Sequence, residues 1–241
     1  MIISASRRTD IPAYHAEWFM ERLKAGYCDV PNPYNTKQVS RVSLEPEDVD
    51  VIVFWTKNAA PMLGILPEIE KRGHRFFFLY TLNDYPALIE PGMAPVEKRR
   101  EVFRQLSRII GQEKVIWRYD PIVVSNMTGW EYHGKAFKNL CAELQGYTRR
   151  VIVSIVDYYA HTKRAFRDAE SKGLKLVKIP EEDPEMDKLL GRMAQDASRA
   201  GMEIVACAEK KDYSRLGIKS GACIDGALID KLWGSLQFRG G

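Results

Sequence analysis

Cysteine and histidine are scarce in this chain of 241 residues, which contains four of each. The cysteines stand at positions 28, 141, 207 and 223, and no two of them form a Cys-x-x-Cys pair. This spacing excludes the usual zinc and iron–sulfur motifs within the chain, and a disulfide framework is not expected at this size. We therefore expect a reduced, cytoplasmic protein.

Long hydrophobic runs are also missing. No run approaches the roughly 18 apolar residues that a transmembrane helix needs, and only three apolar residues begin the chain, which excludes a secretory signal. Hydrophobic residues make up 45% and charged residues 28% of the chain, which is typical of a soluble globular protein with no membrane partner. The net charge of +4 is too small to indicate a nucleic-acid partner by itself.

Six short apolar runs recur along the chain, each of strand length and rich in β-branched and aromatic residues. They cover residues 2–5, 51–55, 76–81, 115–119, 151–156 and 204–208. Their nearly continuous apolarity is typical of strands buried on both faces, and therefore of a parallel sheet. Segments with helical periodicity lie between them, for example around Phe103 and Leu106. The sequence predicts an α/β fold.

Two α/β architectures fit this order, a closed or partly closed barrel and an open doubly wound sheet. Residues 6–10 follow the first strand without a glycine, whereas an open dinucleotide-binding sheet usually has glycines there. A (β/α) barrel typically takes about 250 residues. We therefore predict one TIM-barrel-like (β/α) barrel domain over residues 1–241, with eight strands or fewer. Residues 173–180 and 222–224 are weaker strand candidates.

An insertion separates the first predicted helix from the second strand. Two extended pieces flank a turn rich in proline and asparagine at residues 31–35. This pattern predicts a hairpin at about residues 27–44.

Charged residues of both signs stand where the predicted strands end, which is where ligands bind in a barrel. They are Arg7, Arg8, Lys57 and Arg118, and Asp10, Asp120, Asp157 and Glu209. Such groups must pair, bind a ligand or reach water, because burial of an isolated charge costs several kcal/mol. Arginine suits phosphate or carboxylate, and carboxylates suit ribose hydroxyls, a metal or a proton in transit. The pattern predicts a ligand site.

Structural roles compete with functional ones at several of these positions. Asp10 is as suited to capping the first helix as to catalysis, and Arg118 could pair with a neighbouring carboxylate. Lys57 ends a buried strand, where a lysine has few structural uses, and this favours function.

Other candidates favour structural interpretations. Cys207 and Cys223 each follow an apolar stretch, so they could approach one another in space. With Glu209 they would make half a metal site, and burial as small hydrophobes is the favoured interpretation. The basic stretch at residues 98–100 is predicted to form a solvated helix face. The histidines lie on or beside helices, so no histidine metal site is expected.

Several longer motifs resemble those of one bacterial family of unknown function. They are Ser-Arg-Arg-Thr-Asp-Ile-Pro-Ala at 6–13, Asn-Pro-Tyr-Asn at 32–35, Val-Phe-Trp-Thr-Lys-Asn at 53–58, Val-Ile-Trp-Arg-Tyr-Asp-Pro-Ile at 115–122, Cys-Ala-Glu at 207–209 and Gly-Ala-Cys-Ile-Asp at 221–225. The resemblance spans nearly the whole chain in collinear order. It implies a TIM-barrel-like fold related to radical S-adenosylmethionine enzymes.

The resemblance also implies a cofactor. Full-length members of that family carry a Cys-x-x-x-Cys-x-Tyr-Cys segment after the barrel, which would bind three irons of a [4Fe–4S] cluster and leave the fourth for S-adenosylmethionine. The chain stops at Gly241, where that segment would be due, so the expectation is that the segment was truncated or lost. We expect no cofactor in this chain as given, and S-adenosylmethionine with a [4Fe–4S] cluster only in a full-length form.

The resemblance and the strand ends together assign roles to one set of residues. Lys57, Asp120 and Glu209 are predicted to be catalytic. The predicted substrate-binding residues are Arg7, Arg8, Thr9, Asp10, Asn32, Tyr34, Asn35, Asn58, Arg118 and Asp157. No residue is assigned to a metal.

Three functions follow as hypotheses. The first is an enzyme, radical S-adenosylmethionine-like, that acts on a small anionic ligand such as a phosphate-containing one. The second is a cluster-independent lyase, isomerase or hydrolase of a phosphorylated small molecule, with Lys57 as electrophile or base. The third is a non-catalytic module for a nucleotide or nucleic acid; the pI of about 8.8 gives it little support, since specific nucleic-acid binders usually exceed ~9.

Overall fold

The computed structural model describes residues 1–6, 9–156, 160–180, 182–207, 209 and 211–234, apart from the side chains of residues 36 and 160–165. The strands are β1 (Ile2–Ala5), β2 (Tyr27–Asn32), β3 (Asn35–Ser43), β4 (Val51–Thr56), β5 (Phe76–Thr81), β6 (Val115–Ile122), β7 (Arg150–Ile155), β8 (Glu203–Cys207) and β9 (Lys219–Gly221). The α-helices are α1 (Ile11–Tyr14), α2 (Ala16–Ala25), α3 (Leu66–Lys71), α4 (Val96–Ile110), α5 (Trp130–Leu144), α6 (Ala160–Ser171), α7 (Pro184–Arg199) and α8 (Gly226–Trp233). Short 3₁₀ turns cover Ala60–Met62 and Ser214–Leu216.

Seven strands form one parallel sheet, in the order β1-β4-β5-β6-β7-β8-β9. Neighbours in this sheet follow one another along the chain, apart from the separate hairpin β2–β3. Parallel crossovers are almost always right-handed, so a sequential order carries the crossover helices onto one face. The α/β class and the parallel sheet are confirmed.

The prediction of a barrel is wrong. In the described part of the chain β1 pairs with β4 and β9 pairs with β8, and no pairing joins β1 to β9, so the sheet is open. Closure would require hydrogen bonds between the first and last strands. The face that a barrel would enclose is instead covered by α8, whose Leu228 and Ile229 pack on it.

Alternation along each strand divides the core into two layers. The crossover helices cover one layer, which includes Phe54, Phe78, Trp117, Phe103 and Phe137. The second layer lies against α8 and contains Val53, Leu79, Ile116, Ile152 and Val205. Because both faces of the central strands are buried, their sequences are nearly continuous in apolar residues.

The antiparallel pair β2–β3 spans residues 27–43, with Tyr27 opposite Ser43 and a register shift between Pro31 and Asn32. Residues 173–180 form no strand; Leu176 makes a single bridge to Ser125. None of the described helices combines the length and the apolar character that crossing a membrane requires.

Candidate functional site

Arg118 lies in the middle of β6, level with Thr81 at the carboxyl end of β5. It comes two residues after Ile116 and is therefore on the sheet face that α8 covers. Its Nη1 donates to Thr81 Oγ1 at 3.3 Å, and its Nη2 pairs with Asp120. The guanidinium carbon lies 4.7 Å from the centre of the Trp55 ring. Only 18% of the side chain is exposed. Arg118 is thus a mostly buried cation held by groups from β4, β5 and β6.

Asp120 is fixed from three sides. It lies at the register shift of β6, between Tyr119 and Ile122, where the strand bends and its side chains are redirected. Its Oδ1 accepts from Ser154 Oγ at 2.5 Å, and its backbone N–H donates to Asn83 Oδ1 at 3.1 Å. These bonds position the carboxylate to hold Arg118 in place.

Lys57 belongs to a second charged group on the same edge. Its Nζ lies 2.6 Å from Glu90 Oε1, and Arg99 lies 3.6 Å from the other oxygen of Glu90. Asn83 Nδ2 lies 3.5 Å from Glu90 Oε1 and donates to the carbonyl of Asp120 at 3.0 Å. A continuous chain of polar contacts therefore links Lys57 to Asp120 and Arg118.

Arg99 shows that the interpretation of residues 98–100 as a solvated face is wrong at its central position. Only 5% of the Arg99 side chain is exposed. Its Nε donates to the carbonyl of Ala94 at 2.9 Å, and its charge faces Glu90, which is 8% exposed. The buried carboxylate explains why this arginine turns inward, whereas Lys98 is exposed and Arg100 is 21% exposed.

Cys207 and Cys223 meet at the same edge. β8 ends at Cys207, whose register partner in β9 is Gly221, and Cys223 follows two residues later. The two Sγ atoms are 2.7 Å apart and both thiols are half-buried. The two thiols are only half-buried, unlike the buried small hydrophobes that the sequence favours, and β9 carries Cys223 back onto the end of β8.

Cys207, Cys223 and Arg118 shift one another's pKa values. A hydrogen bond from Cys223 lowers the pKa of Cys207 to about 6, and the positive charge of Arg118 adds to this effect. The same hydrogen bond and burial raise the pKa of Cys223. Burial lowers the pKa of Arg118, opposed by the two nearby sulfurs. Cys207 is therefore the thiolate of the pair near neutral pH.

Glu209 follows β8 and accepts a hydrogen bond from the backbone N–H of Ile155 at 2.8 Å. This bond ties the loop after β8 to the end of β7. It brings a carboxylate close enough to the thiols to raise the pKa of Cys207 slightly against the larger lowering effects.

Asp10 and Asn58 make local structural contacts. Asp10 caps α1 through Ala13 N at 3.0 Å, and its second oxygen accepts from Thr56 Oγ1 at 3.0 Å and Lys57 N at 2.9 Å. Asn58 Oδ1 accepts from Ala60 N at 3.0 Å. These bonds join the loops after β1 and β4.

Thr9 is exposed and lines an apolar cavity of about 460 Å³ between β1, α2 and the hairpin. Asn32, Tyr34 and Asn35 lie at the hairpin turn, and Tyr34 is 97% exposed. Asn32 and Asn35 bond to the backbone of Tyr34 and Lys37, which shapes the turn itself. Arg7, Arg8 and Asp157 lie outside the described residues.

Glu90 and Arg99 are members of the site that the sequence did not indicate. Glu90 lies in the loop between β5 and α4, where neither apolar periodicity nor a strand end marks a position. The sequence offers only an indirect indication of Glu90: Lys57, which follows β4, needs a counter-charge, and this loop supplies it.

The arrangement offers cations for an anion and carboxylates for proton transfer. Arg118 Nε is buried and has no hydrogen-bond partner among the described residues. In the same part of the chain no three His, Cys, Asp or Glu side chains are grouped to hold a metal ion.

Comparison with known proteins gives a family but no activity. No match was found among curated proteins or among solved structures. Residues 2–239 match the family described as a domain of unknown function, DUF1848. That match covers nearly the whole chain, so the chain belongs to this family.

Proposed function

We propose that the carboxyl edge of the sheet binds a small anionic ligand, carrying phosphate or carboxylate, and that the chain is part of an enzyme acting on it. The observation that carries this proposal is the setting of Arg118. Its guanidinium is 18% exposed, is oriented by Thr81 and Asp120, and keeps its Nε without a partner among the described residues. A buried donor left unpaired costs about 1–3 kcal/mol, which an anionic acceptor would recover.

Trp55 supports this role by restricting the guanidinium. The ring lies beneath the cation and its Nε1 donates to Ser4 Oγ at 3.1 Å, which fixes the ring plane. A restrained guanidinium loses less conformational entropy when it binds a planar or tetrahedral anion. We propose that Trp55 is a positioning residue for Arg118.

Lys57 provides a second cation on the same edge. Its Nζ lies 2.6 Å from the buried carboxylate of Glu90, which orients the amine at this edge. In the proposed enzyme Lys57 therefore stabilises developing negative charge or donates a proton. Asp120, with the hydroxyl of Ser154 on its Oδ1, and Glu209 are the proposed groups for proton transfer.

The cofactors implied by the resemblance do not fit the residues present. The four cysteines at 28, 141, 207 and 223 do not have the Cys-x-x-x-Cys-x-Tyr-Cys spacing. No step of the proposed function therefore involves an iron–sulfur cluster, and S-adenosylmethionine, although a net cation, enters only as a candidate ligand that would bind through its carboxylate.

The second candidate, a cluster-independent lyase, isomerase or hydrolase of a phosphorylated molecule, is favoured by one specific observation. Lys57 is held 2.6 Å from a carboxylate that is 8% exposed, on the edge that also holds Arg118. Such a lysine suits an electrophilic role toward a carbonyl or phosphoryl oxygen better than the role of a base.

Calorimetry on the whole chain tests the proposal. Pyrophosphate, citrate and S-adenosylmethionine are titrated into wild type, Arg118→Lys and Arg150→Lys. Arg150 is the matched control, because it is 12% exposed and ion-paired but begins β7, at the opposite edge of the sheet.

We expect at least one ligand to bind wild type and Arg150→Lys alike. It should bind at least about 10-fold more weakly to Arg118→Lys, since a lost charge-assisted bond costs about 1.5–3 kcal/mol. Absence of binding to wild type, or equal losses in both variants, contradicts the proposal.

A further inference from the structure

Two thiols face one another at the end of the sheet, although the sequence separates them by a loop, a 3₁₀ turn and β9. Cys207 Sγ and Cys223 Sγ are 2.7 Å apart. A disulfide bond is about 2.05 Å long, so the two sulfurs already lie close to bonding distance. This proximity depends on the fold and is not a consequence of a local Cys-x-x-Cys turn.

Gly221 permits the close approach of β9 to β8 that brings the two thiols together. A Cβ placed there would lie 2.7 Å from Val205 Cγ1, closer than side-chain packing allows. Glycine therefore lets β9 lie against β8, in the register that sets Cys207 opposite Gly221. The following turn then delivers Cys223 to Cys207.

Cys207 and Cys223 differ from the other two cysteines in solvent access and in the charged groups around them. Both thiols of the pair are half-buried, so a small molecule reaches them, whereas Cys141 is fully buried in the helix layer. Arg118 from β6 and Glu209 after β8 are the charged groups that act on the pair. Cys28, on the hairpin, is also half-buried but has no second thiol beside it among the described residues.

We infer that Cys207 and Cys223 form a redox-active dithiol, which small-molecule disulfides oxidise to an intramolecular disulfide. This inference is independent of the proposed anion site. It assigns to Cys207 the attacking role and to Cys223 the resolving role.

The reaction is thiol–disulfide exchange in two steps. The Cys207 thiolate attacks one sulfur of the small disulfide, whose S–S bond breaks, and the departing thiolate takes a proton from solvent. Cys223 then loses its proton to solvent and attacks Cys207 Sγ, which breaks the mixed disulfide and releases the second small thiol. Two electrons pass from the cysteine pair to the small disulfide, and the protein gains one S–S bond.

The ionisation of the pair fits this order. The pKa of Cys207 is lowered to about 6 by the hydrogen bond from Cys223, while burial raises the pKa of Cys28. At pH 6 the larger thiolate fraction of Cys207 outweighs its lower intrinsic nucleophilicity. We expect iodoacetamide to alkylate Cys207 about 20-fold faster than Cys28.

The deciding experiment uses the folded wild-type chain in glutathione redox buffers, followed by acid quenching, alkylation and peptide mass spectrometry. We expect one disulfide-linked peptide pair containing Cys207 and Cys223, with Cys28 and Cys141 still alkylated. In Cys223→Ser the intermediate is expected to persist as glutathione on Cys207. The matched control, Cys28→Ser, is expected to oxidise like wild type.

Two results would overturn the inference. One is that Cys207 and Cys223 remain separately alkylatable in wild type under oxidising glutathione. The other is that Cys207 reacts no faster than Cys28 with iodoacetamide at pH 6. The wild-type measurements decide the matter even if a serine variant fails to fold, and they do not involve anion binding.

Discussion

The guanidinium of Arg118 and the ring of Trp55 meet across an intervening strand. Trp55 belongs to β4 and Arg118 to β6, and β5 lies between them in the sheet. Thr81, the last residue of β5, receives a hydrogen bond from Arg118 at 3.3 Å beneath this contact. The cation is therefore positioned by three strands at once, and its place depends on their relative register.

Removing the ring tests whether this contact prepares Arg118 for an anion. A cation–π contact in a partly desolvated setting contributes about 1 kcal/mol, so Trp55→Leu should weaken pyrophosphate binding about 5-fold. Trp55→Phe keeps a ring and should stay within about 2-fold of wild type. Calorimetry of the two variants provides the comparison, and equal affinities for both would exclude a positioning role for the ring.

Asp120 holds Arg118 but also opposes a bound anion. Asp120→Asn should lower the free energy of unfolding by about 2 kcal/mol, because it leaves a mostly buried guanidinium without its counter-charge. The same change should raise pyrophosphate affinity roughly 5-fold by removing a negative charge from the site. Urea unfolding and calorimetry measure the two effects.

Ser154→Ala is the control for that variant. It removes the hydroxyl that donates to Asp120 Oδ1 at 2.5 Å but leaves the charge in place. It should cost about 1 kcal/mol of stability and leave affinity nearly unchanged. A complete loss of binding in Asp120→Asn would instead mean that the carboxylate itself contacts the ligand.

The buried ring of His133 makes the stability of the fold depend on pH. Its ring is buried, accepts from Tyr119 Oη at 2.8 Å through Nδ1, and donates through Nε2 to the carbonyl of Val123 at 3.0 Å. Burial lowers the pKa of His133 to about 4. Between pH 6.5 and 4 the unfolded chain binds this proton and the folded chain does not. The free energy of unfolding therefore decreases by about 3 kcal/mol as the pH is lowered through this range.

His133→Gln isolates this effect, because glutamine offers the same donor and acceptor without titrating. Urea unfolding at pH 7 and pH 4.5 should show a smaller loss for the variant than for wild type. Burial also lowers the pKa of His74, which contributes equally to both proteins. An identical loss in the two proteins would show that His133 is not neutral in the fold.

A substitution at Gly221 tests how tightly the last strand, β9, packs against β8. Gly221→Ala places a methyl group 2.7 Å from Val205 Cγ1, and such overpacking typically costs about 1–3 kcal/mol. Displacement of β9 should also slow formation of the Cys207–Cys223 disulfide. Gly226→Ala is the control, since nothing lies within 4 Å of its added Cβ. Equal melting temperatures for Gly221→Ala and Gly226→Ala would contradict this packing.

The strands were predictable because burial on both faces leaves a local signature. The run at residues 76–81 coincides with β5, and the run at 51–55 with β4, since a strand that is covered on both faces needs apolar side chains at successive positions. Openness of the sheet was not predictable. It depends on whether residues 2–5 pair with 219–221, which is a contact between distant parts of the chain that no local pattern encodes.

The site was predictable only in part, for a related reason. The charges at strand ends marked Lys57, Arg118 and Asp120, which the structure links by polar contacts. The partner of Lys57 was not visible, because Glu90 comes from a loop without periodicity. The sequence left open whether Cys207 and Cys223 meet, because β9 has only three residues, Lys-Ser-Gly, and lacks the apolar signature of the other strands.

The central claim is that Arg118 is the anchor of an anion site, and a crystal structure of the chain soaked in pyrophosphate tests it most directly. The account predicts the anion at the carboxyl edge, within hydrogen-bond distance of Arg118 Nε, the donor without a partner among the described residues. Pyrophosphate bound elsewhere, with Arg118 contacting only Thr81, Asp120 and the thiol pair, would contradict it.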